Sequence, residues 1–299
     1  LVGNGESKEE ITMLETIKKL FWVSRPISWI NTAYPFAVAY FLTTQNFDAT
    51  FFLGTLFFLI PYNLLMYGIN DVFDYESDLR NPRKGGIEGA LLEPRYHRLT
   101  VVSAVASSFP FILYLTLAGT SESTGWLYLF VFTVIAYSAK GLRFKEKPFL
   151  DSITSSSHFV GPMIFGLSIA GANLADPNIL MFIAAFSLWG IASHAFGAVQ
   201  DVKADREGGI SSIATAIGAR ATTRFAWFAY FAAALLVAFS SQPWLLLGAI
   251  PYLMIVGRFW NITDKTCETA NQGWKQFIWL NFFAGAVVTF AWLVPLVFG

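Results

Sequence analysis

Asp71, Asp74 and Asp78 stand in the string Asn70-Asp71-Val72-Phe73-Asp74-Tyr75-Glu76-Ser77-Asp78, and Asp201 and Asp205 stand in a second string, Asp201-Val202-Lys203-Ala204-Asp205. On helices, carboxylates four residues apart lie on one face about one turn apart. Two such faces brought together make a cluster of carboxylate oxygens. That donor set suits Mg²⁺, which keeps waters and takes its remaining ligands from substrate phosphates. Bases follow each pair, Arg80, Arg83 and Lys84 after the first and Arg206 after the second. They supply the donors that a diphosphate accepts from.

The elements that must carry these groups are membrane helices. Hydrophobic residues make up 55% of the chain, aromatics 17% and charged residues 13%, with mean hydropathy +0.52. Soluble domains carry roughly 25% charged residues, so a soluble domain is excluded and an integral membrane protein is expected. With about 20 apolar residues per span, the 299 residues hold nine candidate helices. Their apolar runs fall at 27–45, 50–72, 98–118, 125–138, 150–171, 178–199, 224–240, 243–258 and 276–298. All are expected to form one domain over 1–299. Residues 1–24 are a polar and amphipathic lead-in with Lys18 and Lys19. Its first ten residues begin without Met and are left out of the fold reading as a trimmed terminus or cloning remnant.

The distribution of charge tests that assignment. All 20 Lys and Arg fall in the N-terminal segment or in the loops after runs two, four, six and eight. By the positive-inside rule the N-terminus and these loops are cytoplasmic in the cell membrane and the C-terminus is outside. Both acidic strings then face one side, as a shared metal site requires. A weak repeat agrees, because the acid pairs lie 127 positions apart (74 to 201, 78 to 205). Each pair precedes a Gly-Gly-Ile, at Gly85-Gly86-Ile87 and Gly208-Gly209-Ile210, where glycine lets backbone N–H groups turn toward an anion.

Polar stripes run from these ends into the bilayer. Asn63, Tyr67, Asn70, Asp74 and Asp78 share one helical face, His194 lies seven residues before Asp201, and Asp151, Ser155 and His158 form a third stripe. Intramembrane polar residues face a bundle interior or a wet cavity, so these runs are expected to line one chamber. Gly190, Gly197 and Ala198 beside His194 favour close helix packing. The histidines read as hydrogen-bonding or packing groups, because a hard-oxygen site has no need of imidazole. Cys267 is the only cysteine. No P-loop, dinucleotide fingerprint or nucleophile elbow is present.

The string Asn70-Asp71-x-x-Asp74-x-x-x-Asp78 with Asp201-x-x-x-Asp205, on nine expected helices, resembles the UbiA superfamily of intramembrane prenyltransferases over essentially the whole chain. The resemblance implies an all-helical bundle around a central cavity. It also implies two Mg²⁺ ions held by Asp71, Asp74, Asp78, Asp201 and Asp205 against the diphosphate of a prenyl donor. Tyr137-Ser138-Ala139-Lys140 looks like the family segment that contacts the diphosphate, with Arg143 following. The fuller string from Asn70 to Gly89, and Ser24-Arg25-Pro26-Ile27-Ser28-Trp29 before it, look most like the lycopene elongases, which add C5 units to a C40 carotene.

On that reading the five aspartates and Lys140 carry the chemistry. Asn63, Tyr67, Asn70, Arg80, Lys84, Tyr137, Arg143, Arg206 and His158 bind donor and acceptor, and Tyr67 and Phe73 face the allylic cation. Asp151, Glu76 and His158 stand in reach as the final base. No Lys or Arg is expected deep in a span to hold a charged acceptor, Arg25 at the start of run one being the exception. The expected partners are a prenyl diphosphate, a carotenoid and membrane lipid, with no nucleic acid. Rival readings are a quinone precursor, chlorophyll or lipid acceptor, or a cation-coupled transporter. Against transport, the acids cluster at one face and the flanking helices lack paired Gly/Pro interruptions.

Overall fold

The computed structural model describes residues 13–79 and 91–298. Lys8, Arg80, Arg83, Lys84 and Gly85-Gly86-Ile87 lie outside the described residues, and so does the side chain of Asp78. In chain order the helices are α1 (Met13–Val23), α2 (Ile30–Thr44), α3 (Ala49–Leu59), α4 (Pro61–Phe73), α5 (Tyr75–Asp78), α6 (His97–Ala118) and α7 (Ser121–Ser138). There follow α8 (Leu150–Ile169), α9 (Pro177–Val199), α10 (Val202–Glu207), α11 (Ile213–Ile217), α12 (Ala219–Ala238), α13 (Leu246–Gly257) and α14 (Asn271–Phe298). No strand occurs among the described residues.

Each apolar run has a helix under it, and the differences lie at the ends. The run expected from 125 starts at Ser121, because Thr120 and Ser123 exchange side-chain and backbone hydrogen bonds in a capping box, a polar start signal that hydropathy does not register. The run expected from 224 starts at Ala219, whose N–H donates to Asp264 Oδ1 at 2.7 Å from a distant loop. Four helical stretches, Ala49–Phe73, Pro94–Ala118, Pro177–Val199 and Ala219–Ala238, are by length and composition apolar enough to cross a membrane.

The faces of α6 confirm what solvent it was built for. Thr100, Ala104 and Ser108 are buried, while Val102, Val105, Phe109, Leu113 and Leu117 are exposed. Small and polar groups inward with large apolar groups outward reverse the pattern of a water-soluble helix and match packing in lipid.

Two hydrophobic clusters organise the bundle. Phe36, Phe57, Phe58, Tyr62 and Phe165 centre the first, which joins α2, α3, α4, α6, α7 and α8. Phe196, Tyr230, Tyr252 and Phe277 centre the second, which joins α9, α12, α13 and α14. The seam between them runs along α8 and α9, which approach closely: a Cβ on Gly190 would sit 2.4 Å from Ser156 Oγ. Ser156 Oγ donates to Ser187 O across the seam at 2.8 Å.

The second run is interrupted at Ile60-Pro61, which separates α3 from α4. Proline removes an N–H and clashes with the preceding turn, so carbonyls at the break need other donors. Asn63 Nδ2 supplies them to Phe58 O at 2.8 Å and Leu59 O at 3.1 Å, and Thr32 Oγ1 adds a bond to Phe58 O at 2.7 Å. The other motif helix, α9, runs unbroken, so the interruption is not paired.

Candidate active site

Both acidic strings sit where a long helix breaks into a short one. Asp74 caps the C-terminus of α4 with φ −102° and ψ −1°, and Asp201 stands between α9 and α10 with φ −95° and ψ −4°. The 127-residue repeat is therefore a repeat of backbone as well as of residue type. This bridge conformation is sparsely populated and common among active-site residues. It bends each chain so that its acids meet the same space. A chamber of about 730 Å³ is lined by Asn70, Asp74, Glu76, Asp201 and Asp205, with Arg25, Tyr67, Tyr137, Arg143, Lys145, Ser155, His158 and His194 around it.

Cations converge on the first string. Lys145, its side chain 13% exposed, forms an ion pair with Asp74, and Arg143 Nη2 lies 3.6 Å from Asp74 Oδ1 while also pairing with Glu146. Arg143 has a left-handed backbone, φ 40° and ψ 55°, which folds the α7–α8 loop back over the chamber. Burial pushes the Lys145 ammonium down, and the Asp74 charge opposes that shift. The Glu146 carboxyl is held below its ordinary value chiefly by its hydrogen bond from Arg143.

Arg25 enters from the turn between α1 and α2. Its Nη2 donates to Asp71 Oδ1 at 2.8 Å and its guanidinium lies 4.2 Å from the centre of the Tyr67 ring. The Arg25 backbone is left-handed, φ 51° and ψ 72°, a conformation that costs of order 1–3 kcal/mol and recurs at ligand clamps.

Several expected site residues take other places. Asp71, 1% exposed, lies off the chamber wall, because neighbouring helical residues point about 100° apart and Asn70 holds the wall position. Its Oδ2 meets no donor among the described residues. Asn63 serves the Pro61 break, away from the chamber. Lys140 is exposed, and Lys145, five residues on, reaches Asp74 in its place. Arg206 turns outward to Asp264 Oδ2 at 2.6 Å and Thr215 O at 3.1 Å. Phe73 is exposed, and Asp151 is buried off the chamber wall, its Oδ2 accepting from Ile213 N at 2.7 Å. Arg80, Lys84 and the Asp78 side chain lie outside the described residues.

Asn70, Tyr67, Asp74, Tyr137, Arg143, His158, Asp201 and Asp205 do come together on the wall. Lys145 and His194 are the wall groups whose roles the spacing did not single out. His194 Nε2 lies 3.1 Å from Tyr137 Oη.

No group of three or more acids, histidines or cysteines converges as a ready metal cluster among the described residues. The donor chemistry nonetheless fits a hard cation shared with a phosphate: Asp74, Asp201 and Asp205 offer carboxylate oxygens from two sides of one polar space, beside Lys145 and Arg143. A second chamber of about 670 Å³ adjoins the first and shares Asn31, Trp189, Asn281 and Phe282 with it. Its lining is mostly apolar, drawn from α2, α8, α9, α12, α13 and α14.

Fold and site together define an integral membrane protein, a helical bundle with a charged chamber beside an apolar one. Residues 32–282 match the UbiA prenyltransferase family, and the chain belongs to it. It is similar to the C(50) beta-cyclic carotenoids biosynthesis protein LbtBC of Dietzia sp., 56% identical over 274 residues, 90% of this chain and 63% of that protein. The chain thus spans a little less than two thirds of that relative's length. To the lycopene elongase/hydratase of Corynebacterium glutamicum it is 53% identical over 281 residues, covering 93% of this chain and 97% of that one. The solved structure of a UbiA homologue from Archaeoglobus fulgidus bound to DMAPP and Mg²⁺ shares the fold, with TM-score 0.67 over 90% of this chain and 99% of that one at 19% identity.

Proposed function

We infer that the chain is a Mg²⁺-dependent prenyltransferase that moves a dimethylallyl group from its diphosphate to the terminal double bond of a carotenoid such as lycopene. The observation that carries this reading is the pairing of the two chambers. A charged space of about 730 Å³ adjoins an apolar space of about 670 Å³, and Asn31, Trp189, Asn281 and Phe282 line both. A diphosphate suits the first and a hydrocarbon the second. Relatives named for lycopene elongation and C50 carotenoid synthesis support the acceptor, and the A. fulgidus structure with DMAPP and Mg²⁺ supports the donor and the ion.

The wall chemistry also favours an uncharged acceptor. The described cations on the wall are already engaged with acids, Arg25 with Asp71, Arg143 with Glu146 and Asp74, and Lys145 with Asp74. A carboxylate-bearing aromatic acceptor would have to compete for them both with these acids and with the donor's diphosphate.

Asp74, Asp201 and Asp205, with Asp78 beside Asp74 in sequence, are the groups that would hold two Mg²⁺ ions, which when bound would neutralise the diphosphate and ease its departure. Asp71 stands behind the wall, paired with Arg25. Lys145 and Arg143 add charge-assisted donors to the leaving oxygens, joined by Arg80 and Lys84 from the loop after the first string. Tyr67 and Tyr137 offer aromatic faces to an allylic cation, contacts worth about 0.5–2 kcal/mol each. The surrounding apolar wall keeps water from quenching it. Residues 1–299 act as one domain, with the chamber mouth and N-terminus cytoplasmic and the C-terminus outside.

The test is to incubate purified protein with lycopene and dimethylallyl diphosphate, with Mg²⁺ and then with a chelator, and to weigh the carotenoids. A Mg²⁺-dependent gain of one or two C5 units is expected. No gain with lycopene, but transfer to an aromatic or lipid acceptor, would move the acceptor and leave the donor chemistry standing.

A further inference from the structure

A prenyl transfer to a double bond ends with a surplus proton, and the chamber wall holds a hydrogen-bonded chain suited to take it. His194 lies on α9 seven residues before Asp201, about 10 Å further along the helix from the acids. Its Nε2 is 3.1 Å from Tyr137 Oη and its Nδ1 is 3.0 Å from Ser152 Oγ. The Ser152 hydroxyl donates to Asp151 Oδ1 at 3.2 Å, and Ser152 N donates to the same oxygen at 2.7 Å. Asp151 is fully buried, with Oδ2 held by Ile213 N.

The chain assigns the tautomer. Because the Ser152 proton is given to Asp151, its oxygen accepts from Nδ1–H of His194. Nε2 then carries the lone pair and receives the Tyr137 hydroxyl proton. Tyr137 and His194 face the chamber, whereas Ser152 and Asp151 lie behind them. A buried carboxylate reached through one hydroxyl stabilises positive charge arriving at the imidazole, the arrangement by which an acid orients and supports a histidine base. The close approach of α8 to α9 at Gly190, one turn before His194, is what brings Ser152 and His194 within reach.

We propose that Tyr137 and His194 form the proton-accepting pair of this chamber, positioned by Ser152 and Asp151, and that they take the proton released when the prenylated acceptor cation collapses. The proposal rests on the prenyl-transfer reading above. The donor C–O bond breaks and its electron pair leaves on diphosphate. The acceptor π pair forms the new C–C bond and leaves a tertiary cation. Loss of a neighbouring C–H proton gives a double bond from that C–H pair, or addition of water gives a C–O bond and frees one water proton. In either case the proton goes to Tyr137 Oη as the Tyr137 proton passes to His194 Nε2.

The experiment measures diphosphate released and prenylated carotenoid formed, in parallel, for wild type, His194→Gln and Tyr137→Phe. Wild type should release one diphosphate per transfer. In both variants donor ionisation should continue within about fivefold of wild type while prenylated product falls at least tenfold. Left without its base, the prenylated cation should break its new C–C bond back to acceptor and allylic cation, which water captures as prenyl alcohol. The alcohol should account for the difference, and the ratio of unsaturated to hydroxylated carotenoid should fall. Ser152→Ala should give a smaller shift in the same direction. Tyr137→Phe removes one hydroxyl, so it remains informative if His194→Gln folds poorly. Diphosphate and product falling together, or neither changing, would overturn the pair and leave the departing diphosphate as the base. Wild type making no prenylated carotenoid would overturn the functional reading itself, and the pair with it.

Discussion

The two acidic strings are alike in spacing and in backbone, and unlike in what surrounds them. Asp74 and Asp201 share the same bridge conformation at a helix break, and both line the chamber. Three described cations converge on the first string: Arg25 grips Asp71, and Lys145 and Arg143 meet Asp74. Around the second, cations point elsewhere. Lys203 reaches Glu268 at 3.4 Å, Arg206 reaches Asp264, Arg220 donates to Ile262 O at 3.3 Å, and Arg224 donates to Trp260 O at 3.4 Å. Acids repeat because two helix ends must each present oxygens to one space. Among the described residues the bases differ between the two strings, because cations near the second are used to tie loops to helices.

The largest effect should come from the acids, where the halves are equivalent. Asp74→Asn and Asp201→Asn should each lower turnover by about 10²–10³-fold or more, the scale of losing one preorganised charge-stabilising group, with monodisperse protein on size exclusion. Full activity in either variant at ordinary Mg²⁺ would break the equivalence. The bases should then separate the halves. Lys145→Ala should cost about 10–100-fold in kcat/KM, whereas Arg206→Ala should stay within about twofold. Equal losses would mean that Arg206 leaves Asp264 during the reaction and that the asymmetry belongs to the resting protein alone.

Asn63 tests the boundary between site and scaffold. Asn63→Leu keeps the volume but strips two carbonyls at the Pro61 break of a donor, so stability should fall by about 1–3 kcal/mol, read from thermal unfolding, with activity per folded molecule retained. Lost activity at undiminished stability would return Asn63 to the substrate site.

Helices were legible in the sequence because lipid demands long apolar runs, and each of those runs carries a helix. The shared end of the acids was legible because charge must stay out of lipid, and the confinement of Lys and Arg to alternate loops put both strings on one side. Side-chain direction was harder. Periodicity put Asn63 on the same stripe as Tyr67 and Asn70, but Pro61, two residues before it, created unmet carbonyls nearer than the chamber. Lys140 and Lys145 belong to one loop, and which of them reaches Asp74 depends on the left-handed turn at Arg143, a non-glycine conformation that residue type does not announce. His194 was visible as a polar residue in an apolar helix. Its link to Tyr137 and Ser152 required knowing how closely α8 and α9 pack.

The smallest effect should sharpen the comparison most cleanly, because it concerns only the structural use of the second string's base. Asp264 accepts from Ala219 N at 2.7 Å and from Arg206 at 2.6 Å. The Ala219 N–H first, and the Arg206 guanidinium after it, hold its carboxyl below the ordinary carboxylate range. A depressed folded-state value means that its contribution is fully present above the unfolded pKa of about 3.9. It is lost as pH falls through the lower folded value. The side chains are 46% and 42% exposed, so solvent screening keeps the pair and cap together near about 0.5–1 kcal/mol. Asp264→Ala should therefore lower the melting temperature slightly at pH 7, and the gap from wild type should close as pH falls below the ordinary carboxylate range. Prenyl transfer at neutral pH should be unchanged in this variant. A gap that stays constant with pH would mean that neither the Ala219 N–H nor Arg206 stabilises the ionised carboxyl, and the second string's base would then have only its bond to Thr215 O to set against Lys145.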